Sequence, residues 1–215
     1  MKSLIYITAL LLFITAIVGT SAVAKEEVVA RVICGEPEDY EDGNGNVWVT
    51  ADNEYSKDSL GGYREGTPKP NSTFGQNQVV VGNETEYDDF LFRNATWSSD
   101  NTPLLYDLNV ANGVYDINFL FDDHWTGAAR VMDIIIEDEL ILDDYIISAQ
   151  TGIVLVETVS GVEVKDGVLS IDLVPTPGCG DPCATVNAFA VVGGPSAVEP
   201  SGKLSTTWGI IKAQR

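Results

Sequence analysis

Histidine, basic residues and cysteine are all scarce in this chain of 215 residues, and each scarcity removes a class of function. Lys and Arg number 12 against 32 Asp and Glu, a formal charge of −20. No cluster of cations interrupts that field, so phosphate backbones and anionic lipid surfaces are repelled and nucleic-acid binding is excluded. The one histidine, His124, would have to serve any Ser/His triad, and no Gly-x-Ser-x-Gly elbow exists to partner it. Three cysteines and one histidine also lack the paired spacing of a zinc site. What remains is globular composition, 45% hydrophobic with only 20% charged residues, and a length that suits one domain.

Long apolar runs are missing too, with one exception. Leu4 to Val18 follows Lys2 and leads to Ala22-Val23-Ala24, an order of charge, apolar core and small residues that predicts a secretory signal peptide over residues 1–24. The run falls short of the roughly 20 residues that span a bilayer, so the mature chain is expected not to span a membrane and to be secreted or held at the cell surface. In that oxidising compartment Cys179 and Cys183, which enclose Gly180-Asp181-Pro182, are expected to form a local disulfide. Cys34 sits in the apolar run from Val28 to Ile33 and reads as a buried thiol, while its pairing with Cys179 or Cys183 stays open. After Pro195 the composition changes, and residues 196–215, with Lys203, Lys212 and Arg215, form a basic tail that reads either as a frayed terminus or as a sorting or docking peptide.

Between these ends, residues 25–195 carry a period of two. Leu104, Tyr106, Leu108 and Val110 share one face, and beyond Ala111-Asn112-Gly113 so do Tyr115, Ile117, Phe119 and Phe121, which predicts a hairpin with one buried side. Arg130 to Ile136 and Leu140 to Leu142 flank a short turn, and Val162 to Val164 and Val168 to Val174 flank Lys165-Asp166-Gly167 as a second hairpin. Thr185 to Val192 closes the series. Short strands spaced by turns in this way predict an all-β, antiparallel β-sandwich of the jelly-roll kind. Residues 36–78, rich in Gly, Asn, Asp, Pro and Ser, read as long loops of the sort that carry binding residues on a rigid sandwich.

Two aromatic groups stand out as binding candidates. One runs from Leu91 through Phe92 to Trp97, and the other is Asp122-Asp123-His124-Trp125-Thr126-Gly127, where the alternation of the central strand stops. A Trp in a polar loop at a strand end exposes apolar area that a flat ligand covers, and a pyranose ring offers a C–H face for it while carboxylates and amides take its hydroxyls. Trp48, within Val47-Trp48-Val49, is by contrast expected in the core.

The order of these residues resembles malectin and malectin-like carbohydrate-binding domains from about Val28 to Val192. The resemblance is carried by Arg31-Val32-Ile33-Cys34-Gly35, by Asp42-Gly43 with Trp48, Asp52 and Tyr55, and by Gly61-Gly62. It continues through Leu91-Phe92-Arg93 to Trp97, Tyr106 to Tyr115, Arg130 to Ile134, and Val186 to Val191. It implies a noncatalytic lectin that recognises glucose-containing or related glycans through loop aromatics, with no cofactor. The family's paired aromatics fall on His124 and Trp125, its tyrosine before the central strands on Phe92, its late aspartate on Asp181, and an early-loop aromatic on Tyr63.

Two other classes compete with that reading. One is a cell-surface structural or adhesion protein that contacts protein partners. The other is a glycoside-active enzyme using a pair among Asp88-Asp89, Asp122-Asp123 and Asp143-Asp144, although adjacent acids arise by chance in so acidic a chain. A structural calcium is suggested by the alternating oxygen side chains of Asp42-Gly43-Asn44-Gly45-Asn46, but the loop lacks the terminal bidentate acid and reads better as a solvated turn. Three Asn-x-Thr/Ser sequons begin at Asn71, Asn83 and Asn94 and mark loops expected at the surface.

Overall fold

Strand formation follows the alternation wherever it is strong: in Leu104–Asn109 every second residue is buried, and Arg130–Ile136 and Val168–Pro175 repeat the pattern. The computed structural model describes residues 27–72, 79–80, 82–99, 101–122, 129–147, 153–178 and 183–194. In chain order the strands are β1 (Val28–Ile33), β2 (Tyr40–Glu41), β3 (Val47–Thr50), β4 (Gly61–Tyr63), β5 (Asn71–Ser72), β6 (Thr96–Trp97) and β7 (Leu104–Asn109). They continue as β8 (Gly113–Phe121), β9 (Arg130–Ile136), β10 (Glu139–Ile147), β11 (Leu155–Val164), β12 (Val168–Pro175), β13 (Thr185–Val186) and β14 (Ala188–Gly194). The single helical element among the described residues is a 3₁₀ turn, Asp89–Phe92.

Two main sheets form the sandwich. The larger has the order β11-β8-β14-β1-β3-β2, the smaller β10-β9-β12-β7-β4, and a short third sheet, β13-β6-β5, lies beside them. The all-β, largely antiparallel sandwich expected from the sequence is therefore the fold, with β1 and β3 as a parallel exception. Between the sheets lies one core of large side chains, including Tyr106, Ile117, Phe119, Phe121, Ile134, Leu173 and Phe189. Tyr106 meets Phe189 edge to face at 5.5 Å, a favoured aromatic geometry.

Two expected hairpins are corrected. β7 pairs with β12 and β4 and never with β8, which pairs with β11 and β14 in the opposite sheet. β11 and β12 likewise belong to different sheets. The tight turns at 110–112 and 165–167 thus arch from sheet to sheet, because each pair of strands buries its apolar face against the other across the core rather than side by side. The β9–β10 pair is a true hairpin, turned by Glu137 and Asp138 at φ of 52° and 62°, and its return strand extends to Ile147.

The outer face of the larger sheet divides in two. Its upper part is covered by the 3₁₀ turn, which sets Leu91 and Phe92 over Ile33, Trp48, Leu120 and Ala188 in a second core. Asp88 starts that turn, its carboxylate accepting from Phe90 N at 2.8 Å. Trp48 is buried as expected, and its indole donates to Asp42 Oδ2 at 3.2 Å. Asp42 also accepts from the backbone N–H groups of Asn44 and Asn46 and from the Asn46 amide. Both carboxylate oxygens therefore face N–H donors, and the loop is an Asx-type turn rather than a cation cage.

Candidate functional site

All the long connections leave the sandwich at one end. The strand registers put Phe121, Arg130, Leu104, Pro175, Ala188, Ile33 and Thr50 at that end, while the arches and the β9–β10 turn occupy the other. Of the residues singled out in the sequence as ligand contacts, Phe92, Trp97 and Tyr63 are described. Trp97 is half-buried in β6, in register with Thr185 of β13 and Asn71 of β5. Tyr63, on β4 at the edge of the smaller sheet, is half-buried, pairs with Tyr106 and packs against the inner core. His124, Trp125, Asp181 and Cys179 lie outside the described residues; Cys183 is described and half-buried. Residues 1–24 and 196–215 also lie outside them.

Phe92 is a correction. Its ring is fully buried beneath the 3₁₀ turn against Trp48 and Leu120, so it presents no face to a ligand and acts instead as packing. The three sequon asparagines differ in exposure. Asn94 is buried and donates to Glu36, and the Asn83 amide is engaged by Tyr87 O and Asp89; Asn71 alone among the three is exposed.

Beneath the loop end the chain is held by polar groups that the sequence reading did not single out as functional. Asn187, fully buried, donates from Nδ2 to Phe92 O at 3.1 Å and to Asn94 O at 2.9 Å, and its Oδ1 accepts from Asp122 N at 2.7 Å. One side chain thereby fixes the segment leading to Trp97 and the exit of β8 toward residue 124. The signal for it was a lone amide between Val186 and Ala188 in an apolar run, where a buried polar side chain must find partners. Asp52 plays the same part nearby, accepting from Gly35 N, Ser72 Oγ and Thr96 Oγ1. Gly35 is required there: at φ +78°, an added Cβ would stand 2.5 Å from the Ala95 backbone. Cys34 is a buried thiol outside any disulfide, and burial, reinforced by Asp52, pushes its pKa far up, so it is inert packing rather than a nucleophile. Burial likewise raises Glu36, against the opposing hydrogen bond from Asn94.

The acidic pairs have structural employment. Asp88 caps the 3₁₀ turn, Asp122 is buried at the base of its loop, and Asp144 donates its N–H to Asp133 while accepting from Thr176.

A second concavity, unforeseen in the sequence, lies on the uncovered part of the larger sheet's outer face. It is a groove of about 860 Å³ with Asp116, Asn118, Thr158, Ala190 and Val192 on its floor. Tyr87 and Glu86 border it on one side and the Asn44–Asn46 turn on another.

Comparison with known proteins agrees with the architecture. The sequence model of the malectin domain family matches residues 28–179. Among solved structures, the ANXUR1 extracellular domain from Arabidopsis thaliana superposes with a TM-score of 0.63 at 12% identity, covering 77% of this chain and 48% of that one. The plant receptor-like kinase FER gives 0.54 at 14%, covering 78% and 42%. A Bacteroides uniformis β-glucuronidase 2, in a calcium-binding mutant form, gives 0.55 at 18%, covering 76% and 18%. The chain thus spans about half or less of each of these structures, and identities this low speak to the fold alone. No curated protein matches the chain.

Proposed function

The chain belongs to the malectin domain family, and from that membership we propose an extracellular, noncatalytic carbohydrate-binding domain that takes glucose-containing or related glycans on aromatics at its loop end. The observation that carries this reading is convergence: Trp97, the exit of β8 toward His124 and Trp125, and the strand following Asp181 all meet above the Asn187 and Asp52 network. A site on loops gains precision when its supports are locked by hydrogen bonds beneath it, and here the supports are buried. Trp125 is assigned as the stacking platform, with His124, Trp97 and Tyr63 as further ligand contacts and Asp181 as the acceptor of hydroxyl hydrogen bonds. Each such neutral bond nets only about 0.5–1.5 kcal/mol against water, so ring burial supplies most of the affinity and a single site binds weakly.

The test is a glycan array probed with the full chain, followed by calorimetry on two variants. Trp125→Ala should abolish glycan binding at the loop end at unchanged melting temperature. Trp48→Ala should instead destabilise the fold by about 3–5 kcal/mol, as a core truncation does. Binding to protein partners that no sugar competes would favour the adhesion reading, and release of reducing sugar would favour an enzyme; either result overturns the proposal.

A further inference from the structure

The groove on the outer sheet face is built differently from an ordinary solvated sheet, and the register shows how. Thr158, Asn118, Ala190 and Arg31 stand directly opposite one another across β11, β8, β14 and β1. The next row on that face places Asp116 opposite Val192 and Val192 opposite Val28. Solvent-facing sheets are usually furnished with long charged side chains, whereas these rows are short except at Arg31, so the floor is sunk below its borders.

Its polar groups are also fixed in advance. Thr158 Oγ1 donates to Asn118 Oδ1 at 2.7 Å, Asn118 Nδ2 donates to the Tyr87 hydroxyl at 2.8 Å, and Asp116 Oδ1 accepts from Gly161 N at 2.9 Å. Each retains capacity: the tyrosine O–H, the second amide N–H and the other Asp116 oxygen are all uncommitted in those bonds. Tyr87 is itself held edge-on against buried Trp48, 5.9 Å between centroids, so its position is set by the second core. Along the same two rows, on β14 and β1, lie the methyl groups of Ala190, Val192 and Val28.

We propose that this groove is a second binding site, distinct from the loop end, for a neutral oligosaccharide segment laid across β11, β8, β14 and β1. An apolar strip bordered by paired donors and acceptors matches a pyranose, which carries a C–H face and a rim of hydroxyls that both donate and accept. The charge supports neutrality. Asp42, Glu86 and Asp116 line the groove together with Arg31, the one cation among its described lining residues, on a chain of net charge −20, which repels uronates and other anionic polymers. A strongly cationic peptide would have to leave Arg31 facing its own charge. The volume falls within the roughly 300–1,000 Å³ of small-molecule sites, enough for a short oligosaccharide. The inference rests on the carbohydrate-binding reading of the family but on other residues.

The experiment is amide chemical-shift mapping of the full chain with maltopentaose, cellopentaose, laminaripentaose and mannopentaose, with pentagalacturonate and pentalysine as charged comparisons. A neutral pentasaccharide should shift the amides of Asp116 to Leu120, Thr158, Ala190 and Arg31. Thr158→Arg, which sends a long side chain across Asn118 from an exposed position, should weaken those shifts at least tenfold at unchanged melting temperature. Asn118→Ala should weaken them too, guarding against misfolding of the first variant. Shifts confined to the loop end overturn the groove and leave the proposed function standing. Groove shifts in the unsubstituted chain, with none at the loop end, do the reverse. No shift with any neutral sugar, a stronger response to either charged probe, or groove shifts unaffected by Thr158→Arg also overturn the inference.

Discussion

The two faces of the larger sheet are made by the same strands and obey opposite rules. On the inner face β8 and β14 present Tyr115, Ile117, Phe119, Phe121, Phe189 and Val191, which are large, apolar and buried. On the outer face the intervening residues are Asp116, Asn118, Leu120, Ala188, Ala190 and Val192. Where the 3₁₀ turn covers that face, at Leu120 and Ala188, it is apolar; where nothing among the described residues covers it, at Asn118 and Asp116, it becomes polar and hydrogen-bonded. One sheet thus carries stability on one side and offers a preorganised polar surface on the other. On the inner face the alternation decides a residue's role, and on the outer face its position along the strand decides it.

Substitutions that cross this division should separate cleanly, and the largest effect belongs to the inner face. Phe119→Ala, at the centre of the core, should lower unfolding free energy by about 3–5 kcal/mol in urea titrations. Asn187→Ala comes next. It removes the donor to the Phe92 and Asn94 carbonyls and the acceptor of the Asp122 N–H, all in a buried site, and should cost about 2–4 kcal/mol. It should also weaken glycan binding by loosening both approaches to the loop end. An Asn187 variant that keeps full stability would break the assignment of that amide as the base of the site.

A smaller effect concerns the border of the outer face and depends on pH. Burial pushes the Asp42 carboxyl upward, but hydrogen bonds from Asn46, Trp48 and Asn44 outweigh it and hold its pKa below the ordinary carboxylate value. A depressed folded-state pKa contributes stability that is present above the unfolded value of about 3.9 and is lost as pH falls through the folded one. Asp42→Asn should therefore be less stable than the parent at neutral pH, by about 1–2 kcal/mol, and the two should converge in acid. Parallel stability curves across the whole range would contradict this account of the turn. The smallest effect is expected on the open floor, where Asn118→Ala should change stability by less than about 1 kcal/mol, since its partners regain water.

Much of the inner face was legible in the sequence, because period two in Leu104–Leu108 and Tyr115–Phe121 dictates which side chains are buried. The pairing was not, since a hairpin and an arch between sheets require the same alternation. Only contact with β12 or with β11 distinguishes them, and those partners lie far along the chain. The family was legible from ordered short motifs such as Arg31–Gly35 and Val186–Val191. Phe92 shows the weakness of carrying a role across a motif: the position matched, but the 3₁₀ turn folds its ring inward over Trp48. The groove was hidden because its floor is assembled from residues up to 76 positions apart, and nothing in Asp116, Asn118 or Thr158 alone signals a shared row.

Whether this malectin-family sandwich is a sugar-binding domain is decided by a glycan array probed with the full chain. Weak, selective binding to neutral, glucose-containing or related oligosaccharides is expected, competed by the free sugar and with its loop-end component lost in Trp125→Ala. An array on which no neutral glycan is bound, while the chain still captures a protein partner insensitive to sugar, would contradict it.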